Sequence, residues 1–218
     1  KLADFTPKSW LEAHLEAGDR KGLDIWTSTL KQAETYRKVT DQTESALVPL
    51  QENLIDSVWT DQPELPATPV SIHDIAYAGK RASEKIDDVQ NTLSQKAASA
   101  VLLTDPTSIC WLMNIRGDDI PKTPLTLAWA IVPAQGKVQL FITRSKLNIE
   151  VQAYLTQMAD IHPYREVVHV VQSHLSAGNT LMVDAGKTAL AFAPENEDHK
   201  ALLVEADDPI VLPRALKN

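Results

Sequence analysis

Few residues in this sequence combine a reactive type with a useful spacing. The six histidines stand at positions 14, 73, 162, 169, 174 and 199. His169 and His174 are five apart, so a helix would carry them on different faces, whereas a zinc pair on one face needs a spacing of four. His162 and His169 could share a face only if a helix began before Pro163. Surface or packing histidines are the plainer reading. Seven glycines form no G-x-G, G-x-S-x-G or phosphate-loop pattern, and Gly79-Lys80, Gly136-Lys137 and Gly186-Lys187 each lack the upstream glycine. Cys110 falls among Ile109, Trp111, Leu112 and Met113 and reads as a small buried thiol rather than a nucleophile. Asp118-Asp119 is the one notable carboxylate pair. A hard divalent cation wants about six oxygens and finds no further carboxylates nearby in sequence. The plainer reading is a loop after a helix, its charges solvated; a self-contained hydrolase built on the two is the weakest reading.

The elements around these residues alternate between helix and strand. Thr6-Pro7 opens a helix carrying Trp10, Leu11 and Leu15, with Thr6 as cap and Pro7 where no N–H is needed, and Gly18 ends it. Residues 22–26 read as a strand, a helix starts at Ser28 or Thr29, and residues 46–48 read as a second, parallel strand. The stretch TDQPELPATP, residues 60–69, is stiff and extended because Pro63, Pro66 and Pro69 fix φ and restrict their predecessors. Beyond it the pattern predicts a helix through Glu84, Lys85, Ile86, Val89 and Leu93 and a buried strand over 100–103. A helix capped by Asp105-Pro106 then runs to Met113, followed by a hairpin of strands 125–132 and 137–142. Helices over 146–157 and 165–175, a strand over 181–183 and a last strand over 210–212 complete a mixed sheet flanked by helices.

Composition narrows the function classes. Hydrophobic residues at 44% and charged residues at 23% match a folded globular protein. Lys and Arg number 21 against 29 Asp and Glu, a net charge of −8, and no basic cluster interrupts it, which argues against a nucleic-acid partner. The longest apolar run, 125–132, is far below the roughly 18 residues of a membrane span. One cysteine fits a reducing compartment, and a first residue other than Met leads us to expect a fragment.

Three segments then stand out: Asn53-Leu54-Ile55-Asp56-Ser57-Val58-Trp59 followed by Asp61-Gln62-Pro63, with Tyr77-Ala78-Gly79 and Glu84-Lys85-Ile86 after it; the block 103–121, LTDPTSICWLMNIRGDDIP; and the closing LPRALKN, 212–218. Together they resemble the three-domain form of Xaa-Pro aminopeptidase (aminopeptidase P) of the creatinase/prolidase superfamily. Its patterns are N-x-I-D-x-[VI]-W-x-x-[RQ]-P, Y-A-G, W-L-x-N-x-R-G-x-D-[IV]-P and L-P-K-A-x-K-N. Departures are Arg214 for the usual Lys and Cys110 for a usual small residue.

The resemblance implies an α/β, mixed-sheet creatinase N-terminal-like domain of three α/β/α layers, preceded by the C-terminal part of a second similar domain. Residues 1–55 would belong to that first domain, 56–72 to a Pro-rich linker, 73–212 to the second domain, and 213–218 to the start of a junction with a catalytic domain that is not here. It further implies a metallopeptidase that removes an N-terminal residue preceding proline. That family holds two divalent metal ions, usually manganese, in the catalytic domain, so no metal ligand and no catalytic residue carries over to this chain. The expected role is non-catalytic: shaping cleft access, contacting the enzyme's own catalytic domain and contributing to a homodimer, with proline-containing peptides as substrates of the parent. Within the loop 114–119, Asn114, Arg116, Asp118 and Asp119 are the candidates to face the cleft or another domain. Arg116 would offer a planar fork to a carboxylate, or else make an interdomain salt bridge, and Gly117 would permit a tight turn. The alternative is a stand-alone peptide- or protein-binding module of the same architecture.

Overall fold

The structure, a computed structural model, describes residues 6–216. Two compact units emerge, one running to Pro63 and including Ala185–Ala193, the other comprising Glu64–Asp184 and the chain from Pro194 on. Lys217 and Asn218, the end of the closing motif, lie outside the described residues.

The first unit begins with α1 (Pro7–His14), where Thr6 and Ser9 cap each other's backbone reciprocally and Pro7 takes the first helical position. The helix ends at Leu15, which is already extended, and Gly18, at φ +88°, turns the chain afterwards. β1 (Arg20–Asp24) leads to α2 (Leu30–Gln42), capped by Thr29 with Gln32, and β2 (Ala46–Leu50) pairs parallel to β1 with Arg20 opposite Ala46. Residues 185–193 complete this unit. Thr188 O accepts from Leu30 N at 2.9 Å, Thr29 bridges to Ala189, and Trp26 packs edge-on against Phe192 at 5.9 Å. Nothing in their local pattern announces that placement.

The second unit opens with β3 (Ser71–Ile72), α3 (Ile75–Ala78), α4 (Ala82–Gln95), β4 (Ala100–Leu103), α5 (Pro106–Met113) and β5 (Ile115–Arg116). It continues with β6 (Trp129–Pro133), β7 (Val138–Phe141), α6 (Ile149–Leu155), β8 (Ala159–His162), α7 (Val167–Ser176), β9 (Leu181–Val183), β10 (Leu203–Glu205) and α8 (Val211–Ala215). Six strands form one mixed sheet in the order β10-β9-β4-β6-β7-β8. β10, β9 and β4 run parallel, β6 is antiparallel to both β4 and β7, and β8 is parallel to β7. Because alternate strand residues face opposite sides, Val101, Leu103, Ala130, Val132, Val138 and Leu140 share one face, in a core with Ile86, Val89 and Leu93 of α4 and Ile109 and Leu112 of α5. Ala100, Leu102, Ile131, Leu181 and Val183 take the other face and are equally buried, as is the Val167, Val171, Leu175 stripe of α7. Burial on both faces is why β4 reads as an unbroken apolar run. The expected α/β fold with a mixed sheet is the one observed.

Several elements differ from the sequence reading, and β3, α3 and β5 are not anticipated by it. Residues 210–212 are not a strand but lead into α8, and the last strand is β10. β8, with sequence ADIH, has too few apolar residues to announce itself, and only Ala159 in it is fully buried. The first hairpin strand begins at Trp129 rather than Leu125 because the backbone before it is engaged elsewhere. Leu127 N donates to the Asp119 carboxylate at 2.7 Å, and Leu125 O accepts from Asp119 N at 3.0 Å.

β5 is held on one side by β3, with Ile72 opposite Ile115 and Ser71 opposite Arg116. On the other side Gly117 lies so close to Thr126 that an added Cβ would sit 2.8 Å from the Thr126 Cβ and 3.2 Å from its Cα. Gly117 does not have positive φ; it is needed for close approach, not for a left-handed turn. Gly117→Ala should therefore lower stability by about 1–3 kcal/mol through overpacking, read as a drop in the denaturant midpoint with the slope unchanged.

Candidate functional site

The middle block folds into a helix and a short strand whose junction places the candidate residues. Asp105 caps α5 by accepting from Thr107 N at 2.8 Å, Pro106 takes the first helical position, and Asn114 ends the helix in the left-handed region at φ 49°, ψ 51°. Asparagine tolerates that conformation because its short amide can bond locally. Here Asn114 Nδ2 donates to Lys80 O at 3.0 Å and Asn114 Oδ1 accepts from Lys85 Nζ at 2.7 Å.

Lys85 is the residue that sequence reasoning missed. It sits on the apolar stripe of α4 with Ala82, Ile86, Val89 and Leu93, and that position was the available signal. It is 2% exposed. Its ammonium also donates to Trp111 O at 2.9 Å and lies 4.0 Å from the centroid of the Trp111 ring. The carbonyl lies in the last turn of α5, where it otherwise takes only a long bond from Asn114 N at 3.5 Å and where the helix dipole favours a cation. Burial first, then the Arg116 and Lys80 charges, depress the Lys85 pKa to about 8. His73 is also pushed below its usual value by burial and by Arg116 and Lys85, against Asp74.

Lys85, Asn114, Arg116, Trp111, His73 and Arg214 line one pocket of about 270 Å³. Arg116 is half-buried and donates to Ile115 O at 3.3 Å. Among the described residues it has no carboxylate within ion-pair distance. A larger groove, about 860 Å³, runs beside Leu65 and Tyr164, but its charged residues Glu64, Arg144 and Arg165 are exposed.

The structure separates the four expected site residues. Asn114 and Arg116 share the cationic pocket; Asp118 and Asp119 do not line it. Asp118 is exposed. Asp119 is not a solvated loop charge, as the sequence suggested, but 6% exposed. One oxygen accepts from Thr68 Oγ1 at 2.6 Å and Thr68 N at 3.2 Å; the other accepts from Lys146 Nζ at 2.5 Å, Leu127 N at 2.7 Å and Thr126 Oγ1 at 3.0 Å. Burial raises its pKa, but the hydrogen bonds from Lys146, Thr68 and Leu127 and the Lys146 charge outweigh that and hold it at about 2. No lone pair is left for a metal, and among the described residues no group of three or more His, Cys, Asp or Glu could hold one. Cys110 is buried and free, and burial pushes its thiol pKa up, which removes it as a nucleophile.

Comparison with known proteins matches residues 61–218 to the creatinase/prolidase N-terminal domain. The chain belongs to that family. It is 34% identical over 163 residues to a probable Xaa-Pro aminopeptidase P of Ajellomyces capsulatus, covering 74% of this chain and 26% of that protein. It is 30% identical over 190 residues to aminopeptidase P2 of Arabidopsis thaliana, covering 86% of this chain and 27% of that one. The crystal structure of X-prolyl aminopeptidase from Caenorhabditis elegans, described as a cytosolic enzyme with a di-nuclear active site, superposes with a TM-score of 0.90 at 27% identity, covering 98% of this chain and 35% of that one. The chain thus spans about a quarter to a third of the length of these relatives.

The folded pKa of Asp119 lies below its usual value, so its stabilising contribution is full above about pH 4 and is lost as pH falls toward 2. Asp119→Asn leaves the buried Lys146 ammonium without its counter-charge and should cost about 3–5 kcal/mol at neutral pH. The variant's stability should also fall less than that of the wild type between pH 4 and 2, measured by denaturant unfolding across that range.

Proposed function

We propose that this chain is the non-catalytic N-terminal portion of a metal-dependent Xaa-Pro aminopeptidase. What carries the reading is the correspondence of 98% of the chain with 35% of the C. elegans X-prolyl aminopeptidase at a TM-score of 0.90. The parent would remove a residue preceding proline, whose tertiary amide lacks the N–H that other peptide bonds present. The described residues do not fit a dinuclear metal centre; in this reading both divalent ions, manganese by the family resemblance, belong to a catalytic domain outside these 218 residues. Residues 1–55 would be the end of a first domain, 56–72 a linker, 73–212 a second domain that lends residues 185–193 to the first unit, and 213–218 the junction to catalysis. Asn114 and Arg116 would face the substrate cleft or the catalytic domain from the end of α5, and the unit would limit cleft access and take part in a homodimer. A cytoplasmic setting accords with the cytosolic C. elegans relative; among the described residues no helix is long and apolar enough to cross a membrane.

The chain alone, supplied with manganese and an Ala-Pro-Ala peptide, should release no alanine, whereas the same chain joined to a catalytic domain of the family should do so. Turnover by the isolated chain that a chelator abolishes would overturn the non-catalytic assignment. A joined protein that folds but leaves the peptide intact would favour a stand-alone binding module.

A further inference from the structure

The pocket beside α5 holds a charge imbalance. Lys85, Arg116 and Arg214 line it with His73, and no Asp or Glu is among its described lining residues, in a protein whose net charge is −8. Lys85 is 2% exposed and its two acceptors, an amide oxygen and a backbone carbonyl, are neutral. Arg116 donates to the carbonyl of its own neighbour. Arg214 Nη1 stands 3.6 Å from Asp105 Oδ2, yet it is buried with no hydrogen-bond partner. Of these cations Asp105 answers Arg214 alone; among the described residues no carboxylate pairs with Lys85 or Arg116, and gathering two such cations at one pocket without counter-ions of their own is costly. A guanidinium fork beside a fixed ammonium has the geometry to take the two oxygens of a carboxylate.

We propose that this pocket binds one peptide carboxylate, with Arg116 as the fork and Lys85, held by Asn114 and Trp111, as the fixed charge behind it. The volume of about 270 Å³ falls just short of the roughly 300–1,000 Å³ of whole small-molecule sites, so it suits the acidic group of a single residue. That group is either the C-terminus of a peptide or an Asp or Glu side group within one. A carboxylate seated there would also reverse the depression of the Lys85 pKa. The proposal deepens the aminopeptidase reading and rests on it for the choice of a peptide as the source; the charge argument stands without it.

The test titrates this protein, isotopically labelled, with three proline-free probes while the Trp111 indole and Arg116 guanidinium resonances are followed. The probes are acetylated Ala-Ala-Ala with a free C-terminus, its C-terminal amide, and an acetylated, amidated Ala-Glu-Ala. At least one carboxylate-bearing probe should bind and the neutral amide should not. Arg116→Gln should weaken binding about tenfold, the scale of a charge-assisted hydrogen bond, with the circular dichroism unchanged. If Arg116→Gln disturbs the circular dichroism, Arg116→Lys, which keeps the charge and loses the fork, replaces it with the same expected weakening. Binding of the free terminus assigns a peptide end as the source; binding of the Glu probe assigns an acidic residue within the peptide. Binding of neither, equal binding of the amide or of inorganic phosphate, or affinity unchanged in the Arg116 variant overturns the proposal. No probe contains proline and no hydrolysis is read, so this result and the aminopeptidase result fail independently.

Discussion

One buried carboxylate, that of Asp119, receives five hydrogen bonds from three separate stretches of the second unit: Thr68 before the first strand of that unit, Thr126 and Leu127 before the hairpin, and Lys146 after it. In a low-dielectric interior such a carboxylate is tolerable only if every lone pair is used and a cation stands beside it. Both conditions hold, and meeting them dictates the path of the backbone. Leu127 N cannot join a strand ladder while it serves Asp119, so β6 starts two residues later. Thr68 is drawn in by both its amide and its hydroxyl, which anchors the proline-rich stretch on this unit.

Gly117 and β5 lie between that anchor and the end of α5. Thr126, fixed by Asp119 on its hydroxyl side, presses on Gly117 closely enough to leave no room for a Cβ. On the far side β3 pairs with β5. Arg116 is therefore held at a defined register, and its neighbour Asn114 is locked into a left-handed cap by bonds to Lys80 and Lys85. The buried ion pair fixes Thr126, Thr126 abuts Gly117, and Gly117 follows directly on the arginine that lines the cationic pocket.

The two charged clusters of this unit show opposite answers to one electrostatic problem. Lys146 is buried against a carboxylate that compensates it. Lys85 is buried against neutral acceptors, the open end of a helix and an indole face, which lessen the desolvation penalty without cancelling the charge. The depressed pKa of Lys85 and the lowered pKa of Asp119 are the two records of that difference.

Local chemistry was legible residue by residue. The caps Thr6 and Asp105, the prolines that follow them, the apolar run 100–103 and the hairpin at 133–136 all declare themselves, because each is a short-range preference of backbone geometry or burial. The block 103–121 marked the family by its resemblance to a known motif, not by local geometry. What stayed hidden depends on partners far along the sequence. Asp119 looked like a solvated loop charge because Lys146 and Thr68 are 27 and 51 residues away. Lys85 looked like one more helix lysine until Asn114 and Trp111 closed over it, and residues 185–193 gave no sign that they complete the first unit. Short-range pattern determined most helices and strands, and a resemblance in the motifs marked the family; only the tertiary structure decided which charges are buried and with whom. The reason is physical: the cost of burying a charge is set by everything that surrounds it in space, and a linear sequence does not display that surrounding.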